Sequence, residues 1–489
     1  MSGTTGGDLF RGRTYDDFLV RPQKGRVRSR GAVRLSSRLT EAIPLELPIV
    51  SANMDSVTES DMARVMALEG GIGFIHRALP IEEQAGEVER VKRSHGWIIE
   101  EPIRLPRTAT LREAREATRR HGVTGLLIEE SRGSGVLAGI LSKRDMPWGT
   151  ERDPEPVERF MTPIARLHTR PPGVSPEDAA RVLFDHKIEK LPLVDEAGRI
   201  RGLITKSDIL LSRERPGSTK DSKGRLAVAA AVGARGDFLD RTEALLAAGA
   251  DAILVDIAHG HSEVMEEAVR ALKSRFPKVA LIAGNVGTEE GARFLLDLGV
   301  SAIKVGIGPG RGCRTRLETA AGVPQLQAIH EAWRAVAGKV PVIADGGVRN
   351  DKDLFLALAC GASSVMLGSL LSGTDEAPGR VIEDPATREK RKIYRGMTSP
   401  QAVFQALYDD TDPDEADRAL DQPAEGQEMQ VPYRGGVRDV LHRIRGHLQS
   451  AVSYGGEDSL EAVRSRVLAD PERYLIPLSG ASARESFDR

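Results

Sequence analysis

LAVAAAVGARGDFLDRTEALLAAGADAILVD (226–256) passes from one short apolar run, through an amphipathic stretch closing on glycine, into a second apolar run ending on aspartate. Apolar runs of this length, bounded by turn residues, read as strands buried on both faces, and such strands are joined in parallel by helices. DRTEALLAAG (240–249) supplies the helix, and its last glycine suits a C-cap. Outward from this unit the alternation recurs in LPIVS (47–51), GIGFI (71–75), VALIAG (279–284), AIKVG (302–306), VPVIADGG (340–347) and SVMLG (364–368). EEGARFLLDLG (289–299) and DKDLFLALACG (351–361) repeat the helical, Gly-closed pattern. Eight strands predict an α/β fold, a closed (β/α)8 barrel of the TIM type. An open doubly wound sheet is the alternative, since periodicity does not itself show closure.

The strands are evenly spaced except between the second and third, where about 150 residues intervene. After the helix-like PIEEQAGEVERVKR (80–93), residues 97–215 hold two copies of one pattern: a Thr- or Ser-led helix, a β run, and a turn, GILSKRD (139–145) and GLITKSD (202–208), repeating every 63 residues. The barrel is thus expected in two parts, 1–96 and 216–489, around an insertion at 97–215. The insertion resembles a tandem pair of cystathionine-β-synthase-type (CBS) modules. That resemblance implies a regulatory adenine or guanine nucleotide at Ser142, Asp145, Thr205 and Asp208, where a hydroxyl and a carboxylate three residues on can share a ribose and its phosphate. The alternative is that both pairs are helix caps only.

Composition narrows the class. Lys+Arg 69 against Asp+Glu 71 gives a net charge of −2, which argues against a uniformly basic nucleic-acid surface. Two cysteines, Cys313 and Cys360, allow no Cys-rich zinc site. No stretch reaches the ~18 apolar residues of a membrane span, and residues 1–20 carry no signal-like run. The expectation is a soluble, cytoplasmic protein acting on small ligands, with no membrane partner.

In such barrels the chemistry lies at the carboxyl ends of the strands, with phosphate commonly held after strands seven and eight. Those loops carry Asp345-Gly346-Gly347 and Gly368-Ser369, where backbone N–H groups can approach a phosphate and Asp345 can accept from ribose hydroxyls. The loop after strand six, KVGIGPGRGCRTRLETAAGVPQ (304–325), sets Cys313 among Arg311, Arg314 and Arg316. Neighbouring cations favour the thiolate, so Cys313 is the candidate nucleophile. Cys360, in the apolar LFLALACG, reads as an inert core residue. His259 and His261 read as polar turn residues. The acidic run DDTDPDEAD (409–417) reads as part of a mobile flap over 398–430.

TYDDFLVRP (14–22), SANMDSVTES (51–60), GGIGFIHR (70–77), DIAHGHS (256–262), AGNVGT (283–288), VGIGPG followed by Cys313, ADGG (344–347), MLGS (366–369) and YRGM (394–397) resemble, in order, the family of inosine monophosphate (IMP) dehydrogenases and guanosine monophosphate (GMP) reductases. The resemblance implies a purine nucleotide with its phosphate at Gly347, Gly368, Ser369 and Tyr394. Its ribose would lie at Asp345 and its base near Met54, Gly396 and Met397. It also implies attack of Cys313 on C2 of the purine, with proton transfer by Thr315 and Glu425. A nicotinamide cofactor, NADPH or NADH/NAD, would lie at Asp256, Ala258 and Gly306. A potassium ion at the carbonyls of Gly308, Gly310 and Cys313 is implied for the dehydrogenases, with Glu485 and Ser486 of a neighbouring subunit, in a homotetramer or octamer. Here Phe487 departs from that pattern, and Arg311 and Arg314 replace a small Ser and a Thr. Dehydrogenases resemble one another in an Asp-Arg-Tyr-Phe flap segment that activates water; this chain has Asp417-Arg418-Ala419-Leu420, with Tyr408 the nearest tyrosine, and Ile257 and Ala258 after Asp256. ANMD (52–55) and LQSAVSYGG (448–456) also favour a GMP reductase, producing IMP and ammonia. GGIGFIHR, ADGGVR and LSGASARES favour an IMP dehydrogenase, the alternative. A non-catalytic nucleotide-binding regulatory protein is the alternative of another class.

Overall fold

The structure, a computed structural model, describes residues 9–94, 98–207, 209–210, 215–396 and 425–487. Two compact units make up the chain, one of residues 1–94, 217–221 and 226–489, the other of residues 95–216 and 222–225.

The first unit is the barrel. Its strands are β1 (Ile49–Ser51), β2 (Ile72–Ile75), β3 (Ala229–Val232), β4 (Ala252–Asp256), β5 (Leu281–Val286), β6 (Ala302–Val305), β7 (Val342–Asp345) and β8 (Ser364–Leu367). All are parallel, and the ring closes where Leu367 pairs with Ser51 and Ala230 with Ile75, which excludes the open sheet. Each strand is followed by a helix: α1 (Ser60–Leu68), α2 (Ile81–Ser94), α3 (Phe238–Ala248), α4 (Glu263–Arg275), α5 (Glu289–Asp297), α6 (Gln325–Val336), α7 (Asp351–Ala359) and, after a longer excursion, α8 (Val437–Tyr454). Ser262, Thr288 and Asn350 cap α4, α5 and α7 by accepting backbone N–H bonds, and Gly249 ends α3 in the left-handed region at φ 100°.

Successive side chains on a strand point to opposite faces. Ile253 and Val255 of β4, Ile303 and Val305 of β6 and Val342 of β7 therefore pack outward on Val88, Leu245, Met265, Leu272 and Leu295 of the helices. Ala252, Leu254, Ala302 and Ile343 occupy the other face, in a separate core. The same alternation carries Asp256, Lys304 and Asp345 to the interior face at the carboxyl end of the ring. Beyond β8, strand β9 (Lys390–Arg395) pairs antiparallel with β10 (Glu428–Pro432), Tyr394 opposite Met429.

The second unit contains two helix-and-hairpin pieces. Thr110 and Ser175 cap helices Leu111–His121 and Pro176–Asp185. Hairpins follow, Gly125–Glu129 with Leu137–Ser142 and Lys190–Val194 with Ile200–Thr205. Each piece has its own small core, and Leu127, Leu137, Ile140, Ile200 and Leu203 form a third cluster joining them. Among the described residues no helix is long and apolar enough to cross a membrane.

Candidate active site

A cavity of about 660 Å³ opens at the carboxyl ends of the barrel strands, within the usual range for small-molecule sites. One part of its lining comes from the loops after β7 and β8, where the sequence places a phosphate. Gly346 and Gly347 have φ of 91° and 78°, and Pro309 and Gly310 of the β6 loop lie directly over them. A side chain at Gly368 would meet the Tyr394 hydroxyl, its Cβ 2.9 Å from the oxygen. That hydroxyl reaches Met54 Sδ at 3.7 Å, so Gly368, Tyr394 and Met54 form one corner, with Ser369 beside it. Burial pushes the Tyr394 phenol well above its ordinary pKa, so it stays protonated and can donate.

The nucleophile loop is held by a piece of chain more than a hundred residues away. Arg314 N donates to Glu425 O at 2.7 Å, Gln427 N to Gly312 O at 3.0 Å, and Gly396 N to Gln427 O at 3.0 Å. Gly396 fits because a Cβ there would stand 2.5 Å from Gly312 O. This pairing delivers the Glu425 carboxylate to the loop. Thr315 Oγ1 donates to Glu425 Oε2 at 2.7 Å and lies 3.1 Å from Cys313 Sγ. A thiol, a hydroxyl and a carboxylate thus form a continuous hydrogen-bonded relay opening on the cavity, able to pair nucleophilic attack with proton transfer.

Of the three arginines expected around the thiol, Arg316 lies within electrostatic reach of Cys313, Arg311 lines the same cavity, and Arg314 is engaged elsewhere. Arg314 is turned to Glu318, with Nε at 2.8 Å and Nη2 at 2.5 Å, which identifies the charge it answers. Arg316 donates to the carbonyls of Ile307 and Val323. Of the three, Arg311 alone lines the cavity, where it is joined by Arg434, anchored through its backbone N–H to Gly373 after β8. Cys360 is buried in the core, and burial pushes its thiol pKa up, as its apolar surroundings lead one to expect.

Asp256, Ala258 and Gly306 also line the cavity. Gly306 is obligatory for the backbone, at φ 150° with Asp345 O only 2.0 Å from where a Cβ would lie. Asp345 Oδ2 accepts from Lys304 Nζ at 2.6 Å and from Asn285 Nδ2 at 3.0 Å. Lys304 also reaches Asp256 Oδ1 at 2.9 Å, and Asn53 Nδ2 donates to Asp256 Oδ2 at 2.7 Å. Burial alone would lower the Lys304 pKa, but the two carboxylates outweigh it and hold the ammonium firmly protonated. Lys304, Asn53, Asn285 and Arg434 were not among the sequence candidates. A lone lysine inside an apolar strand was the one available signal.

Met397, Asp208 and all of the flap but residues 425–430 lie outside the described residues. His259 and His261 are exposed, and neither lines the cavity. Ser142 N and Oγ both donate to Asp145 Oδ2 at 2.7 Å, a reciprocal cap on the 3-10 turn Lys143–Asp145. Thr205 ends its hairpin strand. Near the carbonyls of Gly308, Gly310 and Cys313 that the resemblance implies for potassium, the Arg316 side chain lies against Gly308, with its guanidinium on the carbonyls of Ile307 and Val323. Glu485 and Ser486 lie on helix Gly480–Phe487. Among the described residues no group of three His, Cys, Asp or Glu is placed to hold a metal.

With this geometry in view, the likeness to known proteins is specific. The sequence model of the IMP dehydrogenase / GMP reductase domain matches residues 12–487. The chain is 44% identical to an inosine-5'-monophosphate dehydrogenase of Nitrosopumilus maritimus over 92% of this chain and 93% of that protein. It is 42% identical to a GMP reductase of Leishmania donovani over 98% and 96%. A GMP reductase of Trypanosoma brucei, solved in complex with guanosine 5'-monophosphate, superposes with a TM-score of 0.88 at 38% identity, covering 97% of each chain.

Proposed function

Because the chain belongs to the IMP dehydrogenase / GMP reductase family, purine nucleotide oxidoreductases, we propose that it is a GMP reductase, converting GMP to IMP and ammonia. The relay of Cys313, Thr315 and Glu425 supports the covalent chemistry that both activities of the family share, and the observation that favours the reductase is Ala419 where the dehydrogenases carry the flap tyrosine. The Cys313 thiol passes its proton through Thr315 to the Glu425 carboxylate as its sulfur adds to C2 of the purine. The exocyclic amine takes up that proton along the same path and leaves as ammonia, so that the C2–N bond breaks as the C2–S bond persists. NADPH, or NADH, would be held against Asp256, Ala258 and Gly306 and would supply the hydride that C2 accepts. The C2–S bond then breaks and returns the thiolate, which takes up one proton from solvent. Tyr394, Gly347, Gly368 and Ser369 hold the phosphate, with Arg311 and Arg434 on the same cavity lining, while Met54 and Gly396 border the base.

This sequence needs no activated water, and the segment Asp417-Arg418-Ala419-Leu420 offers no tyrosine beside Arg418 to activate one. Ile257 and Ala258 likewise bring no hydroxyl to the cofactor wall. IMP dehydrogenase is the second reading, favoured by the 44% identity to a protein of that name. A purely regulatory nucleotide-binding role leaves the relay without a purpose. We further propose that the insertion is a CBS pair binding a purine nucleotide, and that the protein is a cytoplasmic homotetramer that can pair into octamers.

The paired assay decides. GMP with NADPH is expected to give IMP and ammonia with loss of absorbance at about 340 nm, and IMP with NAD no sustained turnover. Sustained NADH formation from IMP reverses the assignment. A regulatory role is excluded if Cys313→Ala abolishes both turnover and the biological phenotype.

A further inference from the structure

Lys304 is the third residue of β6, and the alternation that sends Ile303 and Val305 outward sends it into the barrel. Its side chain is 3% exposed, and its ammonium sits between two carboxylates from different strands, Asp256 at the end of β4 and Asp345 at the end of β7, at 2.9 and 2.6 Å. An ammonium buried in this way is tolerated only because it is paired and hydrogen-bonded. Each carboxylate is also held by an amide, Asn53 on Asp256 and Asn285 on Asp345. In Asp256 both oxygens are then engaged. In Asp345 both donors converge on Oδ2, and no donor among the described residues reaches Oδ1. Both aspartates line the cavity, as does Lys304 itself. The relay that performs the chemistry makes no use of this cation.

We propose that Lys304 is a positioning residue shared by the two ligand half-sites: one ammonium fixes the orientation and charge of the carboxylate that receives the cofactor and of the one that receives the nucleotide ribose. The inference rests on the reading of Asp256 and Asp345 given above and adds the device that joins them. Three consequences follow from sharing a single cation. Loss of the ammonium loosens both carboxylates together. Loss of one carboxylate changes the field and the hydrogen bonding at the other, although no ligand bridges them. The chemical step, carried by Cys313, Thr315 and Glu425, changes less than binding does.

The test has two arms. In Lys304→Met the KM values for GMP and for the dinucleotide are expected to rise together, each about tenfold or more, with kcat changing by less than about threefold. A rise in only one KM, or a kcat loss larger than the KM rises, overturns the proposal. Should Lys304→Met fail to fold, the second arm decides alone. Asp256→Asn, on the cofactor side, is expected to shift the calorimetric Kd for GMP by about threefold or more with no dinucleotide present; an unchanged Kd overturns the proposal. Wild-type protein in the same titration separates the two levels of inference. If it binds GMP and the variants bind equally well, the shared-cation role fails and the functional reading stands. If it binds neither GMP nor IMP, the functional reading fails and this inference falls with it.

Discussion

Thr315 stands between a sulfur 3.1 Å away and a carboxylate oxygen 2.7 Å away, and its hydroxyl is the only atom of the side chain suited to pass a proton between them. Thr315→Ala keeps the nucleophile and the cavity but cuts the relay, so kcat is expected to fall by about a hundredfold or more. The affinity for GMP, measured by calorimetry, should stay within about threefold of wild type; undiminished turnover in the variant shows that the hydroxyl carries no proton. In the sequence Cys313 stands out by its cationic, glycine-rich loop, whereas Thr315 and Glu425 are implied only by the resemblance to the family. Lys304 was not legible, because an apolar strand is recognised by averaging over its residues, and one charged side chain in AIKVG does not change the average. Only the face alternation of the folded strand, together with aspartates supplied by two other strands, gives that lysine a reason to be buried. Arg314 shows the converse: its charge was obvious in the sequence, but its partner Glu318 lies one turn along a helix too short to stand out.

At the scale of elements, α6 contributes an acid-sensitive contact. His330 is buried with its ring stacked on Phe10 at 4.0 Å, and burial, reinforced by Arg334, holds its pKa down to about 4. In the unfolded chain the same group titrates near ~6.5. Between these values the unfolded state binds the proton and the folded state does not, so the stabilisation present above pH ~6.5 is lost as pH falls toward 4, to the extent of up to about 3 kcal/mol. His330→Phe should therefore show a smaller drop in Tm than wild type between neutral pH and pH ~4.5; parallel curves for the two proteins would rule out this contact as the source. The barrel strands themselves were readable from apolar runs, with errors at their ends. Leu226–Val228 reads as strand but precedes β3, since Leu226 bridges Lys220 and Ala227 N donates to Thr219 O. β5 runs on to Val286 past a Gly-Asn pair that reads as a turn. Local composition reports burial, whereas strand ends depend on which neighbour supplies the next hydrogen bond.

For the molecule as a whole, the cores of the two units share no residue, the barrel's clusters drawing nothing from residues 95–216 and the second unit's lying wholly within them. Deleting residues 97–215 and joining the ends with a short linker is accordingly expected to leave a folded barrel with kcat within about threefold of wild type. Any response of the full chain to ATP or GTP should vanish; a response that survives the deletion places the regulatory site elsewhere. The insertion was visible from spacing alone, because interrupting an even series of strands leaves a gap that needs no motif to detect.

The depth at which Cys360 lies has a practical meaning for reagents. A thiol-directed electrophile added to the native protein finds a single reachable thiol, at position 313, while the other answers only after denaturation. One equivalent of label consumed per chain therefore counts folded chains with a free thiol at the cavity in any preparation, without reference to turnover.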